Sequence, residues 1–100
     1  MPSGETYRFR IFVTGDSLRA RRAVENLNGL CDAASETPTE IEVVDVLVSP
    51  QRAEEERIIA TPTVLRLSPA PGRRVIGDLA DFELAAEALG LLLSDGSASP

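Results

Sequence analysis

One mixed α/β domain with the element order βαβαββα is what this sequence predicts. Three observations carry the prediction. Runs rich in β-branched or aromatic residues at 7–13, 40–48, 63–67 and 73–76 alternate with stretches whose apolar residues repeat at helical spacing. The opening succession of strand, helix and strand needs a crossover, which makes those two strands parallel. A chain of 100 residues is the size of one ordinary domain and leaves no room for a second.

Each element follows from its residues. Tyr7-Arg8-Phe9-Arg10-Ile11-Phe12-Val13 alternates at its start and then turns continuously apolar, the pattern of a strand buried deeply at its far end. Thr14-Gly15-Asp16 ends it. Ser17 can then cap a helix whose apolar side runs through Ala20, Ala23, Val24, Leu27, Leu30 and Cys31, with Arg19, Arg22 and Glu25 outside. Pro38 bars its continuation. Glu40 to Val48 reads as the second strand. Ser49 followed by Pro50 places an N-cap before a proline at the first helical position, predicting a short, charge-rich and mostly wet helix from Gln51 to Ile59. Thr63 to Leu67 and Arg73 to Ile76 predict a hairpin across the Ser68-Pro69-Ala70-Pro71-Gly72 loop. Behind an Asp81 cap, Leu84, Ala85, Ala88, Leu89 and Leu92 repeat at helical spacing, and no β-branched residue occurs between Asp78 and Leu93. The last element is therefore a helix reaching Leu93. The domain occupies 7–93, flanked by polar segments at 1–6 and 94–100 that are expected to be disordered.

This is the thioredoxin-like order. Thr61-Pro62-Thr63 sits directly before the third strand, where such folds place a cis-proline that shapes a binding edge. About 5–6% of X-Pro bonds in folded proteins are cis, so the spacing argues for cis against an ordinary trans proline opening a strand. A redox thioredoxin also needs two cysteines two residues apart at the first strand-to-helix turn, one to attack and one to resolve. That turn here reads Thr14-Gly15-Asp16-Ser17. Cys31 is the only cysteine and falls on the apolar helix face, as a small buried hydrophobe would.

Composition removes further classes of function. The net charge of −6 and a pI near 4.5 repel nucleic acid phosphates and anionic membranes. All ten basic residues are Arg, and the chain has neither lysine nor histidine. The commonest general base, the commonest metal ligand and any Schiff-base amine are thus missing. No enzyme activity, cofactor or metal is expected. One cysteine excludes an internal disulfide, and the polar N-terminus lacks an apolar run, so the expected location is the cytoplasm. Glu54-Glu55-Glu56 cannot converge on one ion, because consecutive helical residues point apart. Thr14-Gly15-Asp16 is a weak phosphate loop, since one glycine stands beside an acid. Arg73-Arg74 and the group Arg19, Arg21 and Arg22 could read carboxylates on a protein partner, or simply solvate the surface.

Glu54-Glu55-Glu56-Arg57-Ile58-Ile59-Ala60-Thr61-Pro62-Thr63 and Arg73-Arg74-Val75-Ile76-Gly77-Asp78-Leu79 resemble the two most recognisable segments of the KaiB family. Val43 to Leu47 with Ser49-Pro50-Gln51, and Phe12-Val13-Thr14-Gly15, resemble further parts of it. The likeness runs from about Tyr7 to Leu93. It implies a non-catalytic clock-type regulator that binds the ATPase ring of a KaiC-like protein and competes with a sensor histidine kinase. It also implies two interconverting folds, a tetrameric ground state and a monomeric thioredoxin-like state that engages KaiC. Carried over residue by residue, ring binding falls to Arg22, Gln51, Glu54, Glu55 and Arg57, with Arg73 and Arg74 in support. Pro62, Ala88 and Gly90 fall where the two folds part.

Departures from the family pattern shape the expectation. Ala88 stands where the family commonly has glycine, and Gly90 where it commonly has aspartate. Alanine favours helix over glycine by about 1 kcal/mol and Gly90 gives back a similar amount, so propensity at the two positions nearly cancels. The run Glu83 to Leu93 is nevertheless rich in Ala, Leu and Glu, so the thioredoxin-like state is expected to dominate over the tetramer fold. Glu40 and Glu42 replace a neutral residue and a lysine on the strand that the family presents to KaiA, which speaks against KaiA binding of the usual kind. The alternatives are a sensory domain of a histidine-kinase-type protein, set second because 94–100 offers no coiled-coil linker, and a single-thiol redox protein using Cys31.

Overall fold

The computed structural model describes residues 5–93. Of the segments expected to be disordered, 1–6 and 94–100, all but residues 5 and 6 lie outside them. Seven elements follow in the order β1 Tyr7–Val13, α1 Leu18–Ala33, β2 Thr39–Asp45, α2 Pro50–Glu55, β3 Thr63–Ser68, β4 Arg73–Ile76 and α3 Phe82–Leu89. The sheet runs β2-β1-β3-β4. β1 and β2 are parallel from Tyr7↔Thr39 to Val13↔Asp45, as the crossover argument requires. β3 is antiparallel to both β1 and β4, with an irregularity at Arg8/Phe9. This is the thioredoxin-like α/β arrangement.

Side-chain alternation along β1 divides the core in two. Phe9, Ile11 and Val13 face α1 and α3, joining Ala20, Ala23, Leu27, Leu30, Cys31, Ala85, Ala86 and Leu89 in the main cluster. Phe12 faces the other way, with Val44 and Leu65, and packs against Ala53 and Ile58 around α2. Burying each large side chain stabilises the domain by roughly 1.5–3 kcal/mol. β1 is central and carries both clusters, which explains its continuously apolar end. The Ser17 hydroxyl accepts a hydrogen bond from the Ala20 amide and starts α1 as its residue type implies.

Three predicted elements are shorter in the structure, each for a local reason. β2 stops at Asp45 rather than Val48, because the Asp45 carboxylate accepts from the Leu47 and Gly15 amides and folds the chain into a turn. Leu47 and Val48, expected in the strand, are exposed. α2 ends at Glu55 rather than Ile59: Arg57 adopts φ 56, a left-handed conformation that closes a helix. Pro50 takes its expected place at the helix start, but the Ser49 side chain makes no capping bond.

α3 ends at Leu89 rather than Leu93. Gly90 takes φ 74 and serves as the left-handed C-cap, its amide donating to the Ala86 and Glu87 carbonyls. The near-cancellation at positions 88 and 90 is therefore overturned. Ala88 lies inside the helix and favours it, whereas Gly90 lies at its end, where glycine is the preferred residue. Of the apolar positions expected to face the core, Ala85 and Leu89 are buried but Leu84 and Leu92 are exposed; Ala86, not among them, is buried. Helical spacing admits two neighbouring faces here, and packing against α1 and β4 selects one.

Candidate functional site

Two regions are open to test. The first is the end of the sheet where β1 passes into α1. The Thr61–Pro62 peptide is cis, Pro62 is buried, and the Thr14 and Thr61 hydroxyls are 2.6 Å apart in a hydrogen bond. A cavity of about 210 Å³ is lined by Val13, Thr14, Ser17, Arg19, Ala20, Thr61 and Pro62. The strand-to-helix turn carries Thr14 and Ser17 and no thiol, and no histidine or carboxylate base is among the lining residues. Cys31 lies elsewhere, buried in the main core between α1 and the sheet. Burial raises the pKa of its thiol, the Asp32 charge adds to that, and a hydrogen bond with Thr39 opposes it. A thiol so placed stays protonated and is a poor nucleophile. No group of three or more His, Cys, Asp or Glu side chains among the described residues could hold a metal ion.

The second region is α2 and its exit. Gln51, Glu54 and Glu55 are exposed, and α2 buries none of its residues. A helix of six residues with no buried side chain cannot hold its position by packing alone. Charge supplies the rest. Glu42 on β2 accepts from Arg10 Nε at 2.7 Å and from Arg52 Nη1 at 2.8 Å, joining β1, β2 and α2. Glu56 adds a longer ion pair to Arg10 at 3.6 Å. The two guanidiniums, Arg52 first and then Arg10, hold the Glu42 carboxyl at about 2, well below its ordinary 4.5. The same contact raises the pKa of Arg52. The three consecutive glutamates diverge, Glu56 turning to the sheet while Glu54 and Glu55 face solvent.

Arg74 completes this surface from β4. Its Nη2 donates to the Glu56 carbonyl at 2.7 Å and its Nη1 to the Arg57 carbonyl at 3.3 Å, so one side chain secures both ends of the left-handed turn. A non-glycine residue in that conformation costs about 1–2 kcal/mol and persists where neighbours over-determine it. Gln51, Glu54, Glu55, Arg57 and Arg74 are thereby brought to one region. Arg73 diverges from Arg74: its Nη1 reaches the Ala88 carbonyl of α3 at 3.5 Å. Arg22 is exposed on α1, which covers the opposite face of the sheet from α2, so the structure does not join it to this group. Pro62, Ala88 and Gly90 lie at the start of β3, in the last turn of α3 and at its cap.

The network around Glu42 was not among the sequence candidates. Its signal was present in the alternation Arg8, Arg10 on one strand and Glu40, Glu42 on the other, which the parallel register sets opposite each other. Arg8 and Glu40 form the second, longer pair at 3.6 Å. The acidic edge expected on β2 is therefore largely charge-balanced. No helix among the described residues is long and apolar enough to cross a membrane.

Comparison with known proteins bears on what such a surface serves. The N-terminal domain of SasA from Synechococcus elongatus has the same fold, with a TM-score of 0.71 at 20% identity, covering 95% of this chain and 93% of that one. Mitochondrial thioredoxin 3 from Saccharomyces cerevisiae superposes with a TM-score of 0.67 at 18% identity, covering 86% and 78%. These likenesses concern the fold. Sequence relatives reach further. The circadian clock protein KaiB3 of Synechocystis sp. is 40% identical over 74% of this chain and 72% of its own length. The circadian clock oscillator protein KaiB of Acaryochloris marina is 40% identical over 92% and 91%. The model of the KaiB domain matches residues 10–91, from the middle of β1 to just beyond the α3 cap. A match that takes in nearly every element described above, in order and at such identity, leaves one conclusion: the chain belongs to the KaiB family.

Proposed function

We propose that this protein is a non-catalytic, clock-type regulator that binds a KaiC-like ATPase ring in the monomeric, thioredoxin-like state. The observation that carries this reading is α2, a helix held in place by ion pairs and a backbone clasp while Gln51, Glu54, Glu55 and Arg57 remain free to meet a partner. A surface pre-ordered in this way loses little conformational entropy on binding. The cavity beside Thr14 and Thr61 offers hydroxyls with neither a thiol nor a base to activate them, which favours recognition over catalysis. Arg22, on the other face, contributes to the same partner only if the ring wraps the edge of the domain; Arg73 contributes by anchoring α3.

Competition with a sensor kinase is part of the proposal, and the fold shared with the SasA N-terminal domain supports it. Binding by conformational selection follows, since only the competent fraction associates and that fraction scales the apparent affinity. Ala88 inside α3 and Gly90 at its cap both favour the fold described here over the tetrameric alternative. KaiA recruitment in the usual way is not part of the function, because Glu42 is committed to Arg10 and Arg52. The expected setting is the cytoplasm.

The test is co-purification of the full chain with a KaiC homologue, followed by Glu54→Lys and Glu55→Lys. Binding by the native chain and at least tenfold weaker binding by the double variant are expected. A native chain that fails to bind, sediments as a tetramer, or shows C-terminal strand shifts by NMR overturns the reading. KaiA recruited to the complex, and unaffected by Glu42→Lys, overturns its last part.

A further inference from the structure

Arg66 is the one charged side chain buried among the described residues, at 5% exposure, and it forms no ion pair there. A guanidinium taken out of water without a carboxylate is unfavourable unless its donors are met. Two are met by backbone carbonyls from different segments. Nη1 donates to Leu89 at 2.9 Å, at the C-terminus of α3, and Nη2 donates to Pro71 at 2.7 Å, in the β3–β4 loop. Its Cζ lies 5.4 Å from the centre of the Tyr7 ring at the start of β1, within cation–π range. Nε is buried and has no hydrogen-bond partner.

α3 needs this cation. It has eight residues, too few to be stable alone, and its last turn has no basic residue to complement the negative end of the helix dipole. β3 and β4 provide that complement from outside, Arg66 at Leu89 and Arg73 at Ala88. Room for it depends on Gly90. A Cβ built there would collide with Arg66 Nη1, besides having to accept φ 74.

We propose that Arg66 is the latch of α3. Its fork ties the helix terminus to the hairpin loop, it needs a bare backbone at residue 90, and α3 detaches first when the fork is removed. The latch acts within the isolated chain and does not depend on the partner proposed above. It also explains why a costly buried charge occupies a position where an apolar side chain would fill the same space.

Amide hydrogen exchange on the full chain tests it, comparing residues 82–91 with β1. In Arg66→Met, which keeps the bulk and loses the fork, protection in 82–91 falls at least tenfold while that in β1 changes less than threefold. Arg66→Lys falls between Met and the native residue, because one ammonium cannot address both carbonyls in the fork geometry. Gly90→Ala loosens 82–91 strongly in the native background and by at least fivefold less in the Arg66→Met background, where only the backbone cost remains. Equal losses in α3 and β1, no loss in α3, or an equal effect of Gly90→Ala in both backgrounds overturns the latch. Should Arg66→Met not fold, Arg66→Lys takes its place in both comparisons, selective loosening of 82–91 with a smaller Gly90→Ala effect supporting the latch and uniform loosening or an unchanged Gly90→Ala effect refuting it.

Discussion

Replacing Glu42 by glutamine removes one charge and leaves the shape of the side chain, so it isolates what the carboxylate does for α2. Held between Arg10 and Arg52, the Glu42 carboxyl titrates at about 2 instead of 4.5. That depression stabilises the folded state at neutral pH. The side chain is 45% exposed, however, and water screens such pairs. Discounted for that exposure, the expected loss in Glu42→Gln is about 1 kcal/mol at pH 7. For a domain of this size this is a fall in Tm of about 4–8 °C. The pH dependence carries a definite sign. The folded-state pKa is depressed, so the stabilisation is complete above the unfolded value of 4.5 and disappears as pH falls through about 2. Urea unfolding of both chains at pH 7, 5 and 3 should show a constant gap at the first two and roughly half of it or less at pH 3. Equal stabilities at pH 7, or a gap that persists undiminished at pH 3, would refute the claim that the carboxylate's charge tethers α2.

Three further outcomes follow from local chemistry. Ser17→Ala should cost about 1 kcal/mol because its hydroxyl caps α1, whereas Ser49→Ala should cost less than about 0.5 kcal/mol because its side chain makes no cap bond; paired urea titrations decide. Ala88→Gly should lower stability by about 1 kcal/mol and reduce far-UV helical signal, as an interior α3 residue requires; an unchanged midpoint would place residue 88 outside the helix. Cys31 should react with a thiol reagent at pH 8 at least ~100-fold more slowly than a free cysteine peptide, and at full rate only after urea is added; rapid labelling of the folded chain would contradict its place in the core.

Sequence pattern located the elements better than their ends. The apolar end of β1, the Ser17 cap and the strand, helix, strand succession are local or periodic signals, and the structure follows all three. β2, α2 and α3 were read too long for a common reason. Apolar residues such as Leu47, Ile59 and Leu92 extend a favourable pattern past the point where the Asp45 carboxylate, the left-handed Arg57 and the Gly90 cap stop it. On the proposed binding surface, the exposed members of α2 could be named from the resemblance. What holds them could not, because Glu42, Arg52 and Arg74 meet across three separate elements.

The sequence by itself determined the α/β order, the family, the missing redox pair and the absence of histidine and lysine, since all of these depend on residue type and spacing along the chain. Only the tertiary structure decided which face of α3 is buried, that Arg66 is internal and spans two segments, and that Gly90 ends a helix it was expected to weaken. Each of those outcomes depends on contacts between residues distant in sequence. Their energies are fixed by register and packing, which no local pattern specifies.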